Sequence, residues 1–366
     1  MKLPELKIGD LIARVPIIQG GMGVGVSLAK LAAAVANEGG IGIISGAQNG
    51  FKEPDFKKDN HHANTVGLIK EIREARSLSP NGIIGVNFLA AAQNYSDLVM
   101  TAVKEKVDII ISGAGLPKNL PELVQGSSTK IIPIVSSGKA AATISKIWDR
   151  SYNRIPDAII VEGPLAGGHL GFDFDELINE NFKSLKELVQ EVMNAIIPYE
   201  EKYQTRIPVI AAGGVYDGKD IAEYLEMGAA GVQIASRFVA TEECDADPAF
   251  KEAYINAKEE DIKIIKSPVG MPGRALNNAF AQRVALERQK VKRCYNCIRG
   301  CDPATTPYCI TDALVASVTG DVENGLIFVG HNVFKIDHLT TVKELMTEMI
   351  TEAETYFNGV LSPTPA

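Results

Sequence analysis

Short, almost purely apolar runs alternate along the chain with longer segments whose apolar positions recur at helical spacing. Eight such runs stand out, at residues 15–19, 41–45, 83–87, 107–112, 131–136, 158–162, 208–212 and 231–235. A strand covered by helices on both faces needs this near-continuous apolarity, whereas a half-exposed strand would alternate. Residues 28–37, 65–75, 95–106, 140–148, 185–195 and 218–227 between the runs have the helical pattern. Eight βα repeats predict an α/β fold closed as a (β/α)8 TIM barrel, since doubly wound sheets usually have five or six strands. The long gaps after Ser45 and Glu162 predict insertions after the second and sixth strands.

The remaining tail exceeds what a last barrel helix needs. The chain is therefore expected to divide into a barrel at 1–243 and an appendage at 244–366 that packs on it. The appendage holds a Pro/Gly-rich turn segment at 267–274, a charged segment at 283–293 and four crowded cysteines. A strand-like stretch at 326–330 and an amphipathic helix at 341–356 follow.

Of the 366 residues, 46% are hydrophobic and 22% charged, which fits a packed globular enzyme and excludes disorder or a collagen-like repeat. A net charge of −8 argues against a nucleic-acid partner, and only a local basic patch would reverse that. Neither a run of ~18 apolar residues nor a basic, signal-like start is found, so the expectation is a cytosolic chain without a membrane partner.

In a barrel of this kind chemistry collects where strands end. The first run ends in Gln19-Gly-Gly-Met-Gly-Val-Gly-Val-Ser27, whose glycines let backbone approach a flat ligand and whose Ser27 is expected to cap the next helix. As a dinucleotide fingerprint the string is poor, because its third glycine is out of place. Runs seven and eight end in Ala212-Gly213-Gly214 and Gln233-Ile234-Ala235-Ser236, a pair of ends suited to cradling a phosphate on backbone N–H groups. Run six leads through Gly167-Gly168 to His169, placing an imidazole at the rim as a candidate acid or base. His61 and His62 lie in the lysine-rich stretch 51–64, expected to be a solvated loop rather than a metal site.

The strings Pro-Ile-Ile-Gln-Gly-Gly-Met (16–22), Gly-Val-Asn-Phe (85–88), Ser-Gly-Ala-Gly-Leu-Pro (112–117), Ala-Gly-Gly-His (166–169), Ala-Ala-Gly-Gly-Val (211–215) and Gly-Val-Gln-Ile-Ala-Ser-Arg-Phe (231–238) occur in this order. Together they resemble the nitronate monooxygenase family, which includes the FMN-dependent enoyl-ACP reductase II enzymes. The resemblance implies a TIM barrel holding FMN, with NAD(P)H as electron donor and a nitronate or an enoyl thioester as small-molecule substrate. It also implies FMN contacts at Asn87, Glu162, Gly167, Gly168, Gly213, Gly214, Gln233, Ile234, Ala235 and Ser236, with Gly21 and Met22 facing the ring and His169 catalytic. Glu162 stands where enoyl reductases of the family often carry Glu and nitronate oxidisers often carry Gln. Pro164-Leu165 departs from the family's usual pair. A homodimer and a redox-protein donor are further expectations.

The spacing Cys294-x2-Cys297-x3-Cys301-x7-Cys309 has no counterpart in the typical subgroups. Four thiolates so close together could hold a [4Fe–4S] cluster or Zn2+, or stand as ordinary thiols or a redox disulfide. Arg293 and Arg299 beside them are expected to lower the thiol pKa values. Cys244 stands apart and is expected to be structural. Two other classes stay open: a cofactor-free sugar-phosphate isomerase or aldolase, and an electron-relay protein docking through the cysteine segment.

Overall fold

The computed structural model describes residues 2–359. All eight apolar runs become parallel strands: Ile17–Gln19, Ile41–Ser45, Ile83–Leu89, Ile109–Gly113, Lys130–Val135, Ile159–Glu162, Val209–Ala212 and Gly231–Ile234. They pair in that order, and the last pairs with the first, Gln233 opposite Ile18, to close a TIM barrel.

The isoleucine-rich runs serve two surfaces at once. Ile18, Ile43, Ile111, Ile132, Ile160 and Ile210 fill the barrel's interior, while their neighbours Ile17, Ile44, Ile110, Ile131, Ile159 and Ala211 pack under the helices. Branched side chains suit both sites, since they fill volume and lose little freedom in extended backbone. The hairpin Leu6–Ile8 and Leu11–Ala13 buries Leu6, Ile8 and Ala13 against the interior cluster, sealing the end where strands begin. Only the opposite end is left for a ligand.

Seven helices follow the first seven strands in order: Ala29–Asn37, Asn60–Leu78, Tyr95–Lys104, Leu120–Leu123, Gly138–Tyr152, Leu185–Tyr203 and Gly218–Glu226. The helix after the eighth strand is a single turn, Ser236–Val239. Its place in the ring is taken by Val342–Phe357, which starts with a Thr341–Glu344 capping box and packs on Gly218–Glu226 and Ala29–Asn37. At Gly218 an added Cβ would lie 2.3 Å from the Cβ of Glu352, so the two helices meet almost backbone to backbone.

Several local expectations are corrected. The second helix begins at Asn60, so His61 and His62 sit in its exposed first turn rather than in a loop, against Asp97 (3.0 Å) and Asp55 (2.8 Å). Ser27 does not cap the first helix; its Oγ accepts from the Met22 N–H at 2.8 Å. Carboxylates take the capping role, with Asp245 accepting from Leu28 N (2.8 Å) and Glu71 from Ala29 N (2.9 Å). Full negative charge complements a helix N-terminus better than a hydroxyl does. The stretch 326–330 forms no strand and contributes one bridge, Phe328 to Ala275.

The appendage supplies a hairpin, Ile262–Lys266 with Pro272–Leu276, and the two-residue strand Gly168–His169 adds to its edge with His169 opposite Gly273. Among the described residues no helix is long and apolar enough to cross a membrane.

Gly42 shows how tightly helix and strand are packed: a Cβ there would stand 1.8 Å from the Ala32 carbonyl oxygen. Gly42→Ala should therefore destabilise the fold by about 1–3 kcal/mol, the range for forcing atoms into a filled core, read as a lower urea midpoint at unchanged slope.

Candidate active site

A cavity of about 300 Å³ opens at the strand ends. Gly21, Met22, Asn87, Glu162, Gly167, Gly168, His169, Gly213, Gly214 and Gln233 through Ser236 all line it. Glycine is demanded by two kinds of geometry here. Gly213 and Gly214 have φ of +86° and +111°, a conformation other residues enter only with strain, and they turn the seventh strand's end back over the cavity. Gly21 is an ordinary conformer under a roof, where a Cβ would meet the Asn87 Cβ at 2.5 Å. The Ser236 hydroxyl accepts from Gly330 N at 3.1 Å, tying the eighth strand's end to the appendage.

His169 is held from three sides. Its strand pairing fixes the backbone, its Nε2 shares a 2.7 Å hydrogen bond with the Ser267 hydroxyl, and its ring meets Phe328 edge-on at 4.8 Å between centroids. Burial pushes its pKa down to about 4, so the imidazole is neutral at physiological pH and offers one N–H and one bare nitrogen. The loop before it is clamped by Arg274, which is 4% exposed and donates from Nη1 to the carbonyls of Pro164 (2.7 Å) and Ala166 (2.5 Å). Desolvation lowers the guanidinium pKa to about 10, leaving it charged. Ser267 and Arg274 were not singled out as site residues by the sequence; the only hint was the turn segment that contains them.

Glu162 ends the sixth strand facing the cavity. Removal from bulk water raises its pKa to about 7, and no cation offsets that. Near it the Gln233 Oε1 is buried without a hydrogen-bond partner. A buried acceptor left empty costs stability unless a ligand donor fills it. Among the described residues, Arg237 is the one lysine or arginine lining the cavity, and it is committed to Glu348 at 2.9 Å.

The appendage forms the remaining wall with Ile298, Ile310, Leu314, Leu326 and Phe328. Cys297 also lines the cavity, and Cys297 and Cys309 pack against Phe56 and Tyr295, whereas Cys294 is exposed. Among the described residues, no three His, Cys, Asp or Glu side chains are grouped so as to hold a metal ion. The expected lowering of thiol pKa is not found. Desolvation by burial instead raises the pKa of Cys297 and takes that of Cys309 to about 12. Cys244 is buried with its thiol donating to Val26 O at 3.4 Å.

A closed parallel barrel with glycine turns at the seventh strand's end, an empty buried acceptor and a rim imidazole defines a TIM-barrel enzyme whose candidate site lies at the strand ends. Residues 5–352 match the nitronate monooxygenase family, and the chain belongs to it. It is 29% identical to an octahydroindene-carboxyl-CoA dehydrogenase of Rhodococcus jostii, over 72% of this chain and 62% of that protein, less than two thirds of its length. A probable nitronate monooxygenase of Staphylococcus aureus is 26% identical, over 74% of this chain and 77% of its own. FabK from Thermotoga maritima superposes with a TM-score of 0.72 at 28% identity, covering 94% of both chains.

Glu162 makes stability pH-dependent. Its folded pKa is raised from 4.5 to about 7, so between those values the folded state binds more protons than the unfolded one. Stability therefore falls as pH rises through that window and levels off above it. In flavin-free protein the loss should reach at most about 3 kcal/mol, less whatever cavity water screens. Glu162→Gln should flatten this part of the curve in urea unfolding between about pH 5 and 8.

Proposed function

We propose that the chain binds FMN in this cavity and reduces the conjugated double bond of an acyl thioester, with NAD(P)H as electron donor. The observation that carries the proposal is the wall that the appendage builds, with Phe328 against the His169 ring: an apolar surface suited to an acyl chain, in a cavity where, among the described residues, no uncommitted lysine or arginine is found for a small anion. Glu162 at the sixth strand's end and the relative acting on a carboxyl-CoA point the same way.

The residues fit the cofactor on their own chemistry. Gly213, Gly214 and the start of Ser236–Val239 offer backbone N–H groups for the phosphate. The empty Gln233 Oε1 would accept from a ring N–H, and the bare backbone at Gly21 would leave room for a flat ring. Bound there, FMN would supply the hydride-transfer chemistry that carries reducing equivalents from NAD(P)H to the conjugated double bond. The chain does the rest. Neutral His169 hydrogen-bonds the thioester carbonyl and stabilises the negative charge that grows there as the β-carbon gains hydride, a charge discharged when a solvent-derived proton reaches the α-carbon. Ser267 fixes the ring's orientation through Nε2, and the apolar wall excludes water. All five cysteines are free thiols, which suits a reducing cytoplasm.

Oxidation of alkyl nitronates with O2 is the second function, favoured by family membership and by the Staphylococcus aureus relative. Anaerobic reduction by NAD(P)H followed by crotonyl-pantetheine separates the two. Thioester-driven return of flavin absorbance supports the first. Failure to reoxidise, with O2 consumption only on adding a nitronate, rejects it. His169→Ala should keep the colour and lower turnover by ~10² or more. Ser267→Ala should lower it about tenfold, the worth of one hydrogen bond, and Ser267→Thr should restore most of the loss.

A further inference from the structure

Beside the cavity wall lies a cationic surface that the proposed chemistry does not use. Residues 288–301 contain five lysines and arginines and no acidic residue, in a chain whose net charge is −8. This segment lies against the lysine-rich stretch after the second strand: the Phe56 and Tyr295 rings pack at 5.1 Å, and Arg293 Nη1 donates to Lys57 O at 2.5 Å. Lys57, Lys58, Lys290, Lys292, Arg293 and Arg299 are all exposed. None of them forms a salt bridge among the described residues, although eleven other lysines and arginines do. The nearby acids are engaged elsewhere, Asp55 with His62 at 2.8 Å, Asp59 in capping a helix, and Asp302 in a turn with Ala304 and Thr305.

The strip is also joined to the cavity. Gln93 N donates to Cys297 O (3.0 Å), Arg299 N donates to Ala91 O (3.0 Å), and Ile298 bridges Ala92, so the cation-bearing segment is stitched to the loop after the third strand. Cys297 and Ile298, between Arg293 and Arg299, line the cavity itself. A ligand that reaches from His169 past Cys297 and Ile298 would meet these cations. Like charges crowded together raise the local potential and attract a polyanion, and each contact releases condensed counterions when the partner is a phosphate.

We propose that this strip binds the phosphates of a coenzyme A thioester, holding the nucleotide end outside while the acyl end occupies the apolar part of the cavity. The proposal rests on the thioester function proposed above and adds the carrier: a soluble nucleotide rather than a protein. The appendage would then build both ends of the substrate site, with hydrophobic residues inward and cations outward from one segment.

The experiment compares crotonyl-CoA with crotonyl-pantetheine, which lacks the nucleotide, on the FMN-loaded wild type and on a K290E/K292E/R293E variant. A K57E/K58E variant tests the other half of the strip without touching the Arg293 contact. The expected result is a KM for crotonyl-CoA raised at least tenfold in each variant, with kcat and the pantetheine KM unchanged. The wild-type KM for crotonyl-CoA should also climb with salt, and the pantetheine KM should not. Equal shifts for both esters, or none, would overturn the proposal. So would a shift confined to NADPH, which would give the strip to the electron donor, or one confined to a carrier-protein thioester. Wild-type enzyme that turns over neither ester rejects the thioester function instead. Calorimetry with desulfo-CoA then decides the strip separately: binding that the variants lose supports it, and no binding by wild type overturns it.

Discussion

One buried guanidinium joins the two parts of the chain at the point where chemistry is proposed. Arg274, on the appendage hairpin, gives its Nη1 to two carbonyls of the loop that follows the sixth barrel strand. A cation so deeply buried is costly, and hydrogen bonds to carbonyl dipoles offset that cost only while the loop keeps its shape. The adjacent pairing of Gly168–His169 with Gly273 and Arg274 extends the same restraint to the imidazole. His169 is thus positioned less by the barrel than by a strand whose partner lies about a hundred residues further along the chain.

That dependence explains what could be read in advance. Strands buried on two faces must be apolar along their whole length, so Ile41–Ser45 or Ile109–Gly113 declare themselves without any knowledge of their neighbours. The glycines at the strand ends are legible for a similar reason, since close approach and positive φ are constraints on single residues. Ser267 and Arg274 have functions defined only by partners remote in sequence, His169 and the carbonyls of Pro164 and Ala166, and nothing local marks them. The Ser27 expectation went astray in the same way, because the carboxylates that cap the first helix come from Glu71 and Asp245.

The cysteine segment shows how rival effects are weighed. Neighbouring arginines favour thiolates, and charge count alone suggested reactive sulfur. The fold turns the guanidinium donors of Arg293 and Arg299 towards backbone carbonyls and buries Cys297 and Cys309 among aromatic rings. Desolvation then dominates, since it acts on the thiol directly while an exposed cation is screened by water.

Inside and outside the cavity the electrostatics therefore run in opposite directions. Burial discharges the inner groups: it lowers the His169 pKa, raises that of Glu162, and leaves Arg237 paired. A neutral interior suits an uncharged acyl group and transfer of a hydride together with a proton, since neither has to displace a resident counterion. The cations of the strip stand where water can solvate them, beyond Cys297 and Ile298. A substrate that is apolar at one end and polyanionic at the other meets a matching environment at each, and the boundary between the two falls within a single segment of the appendage.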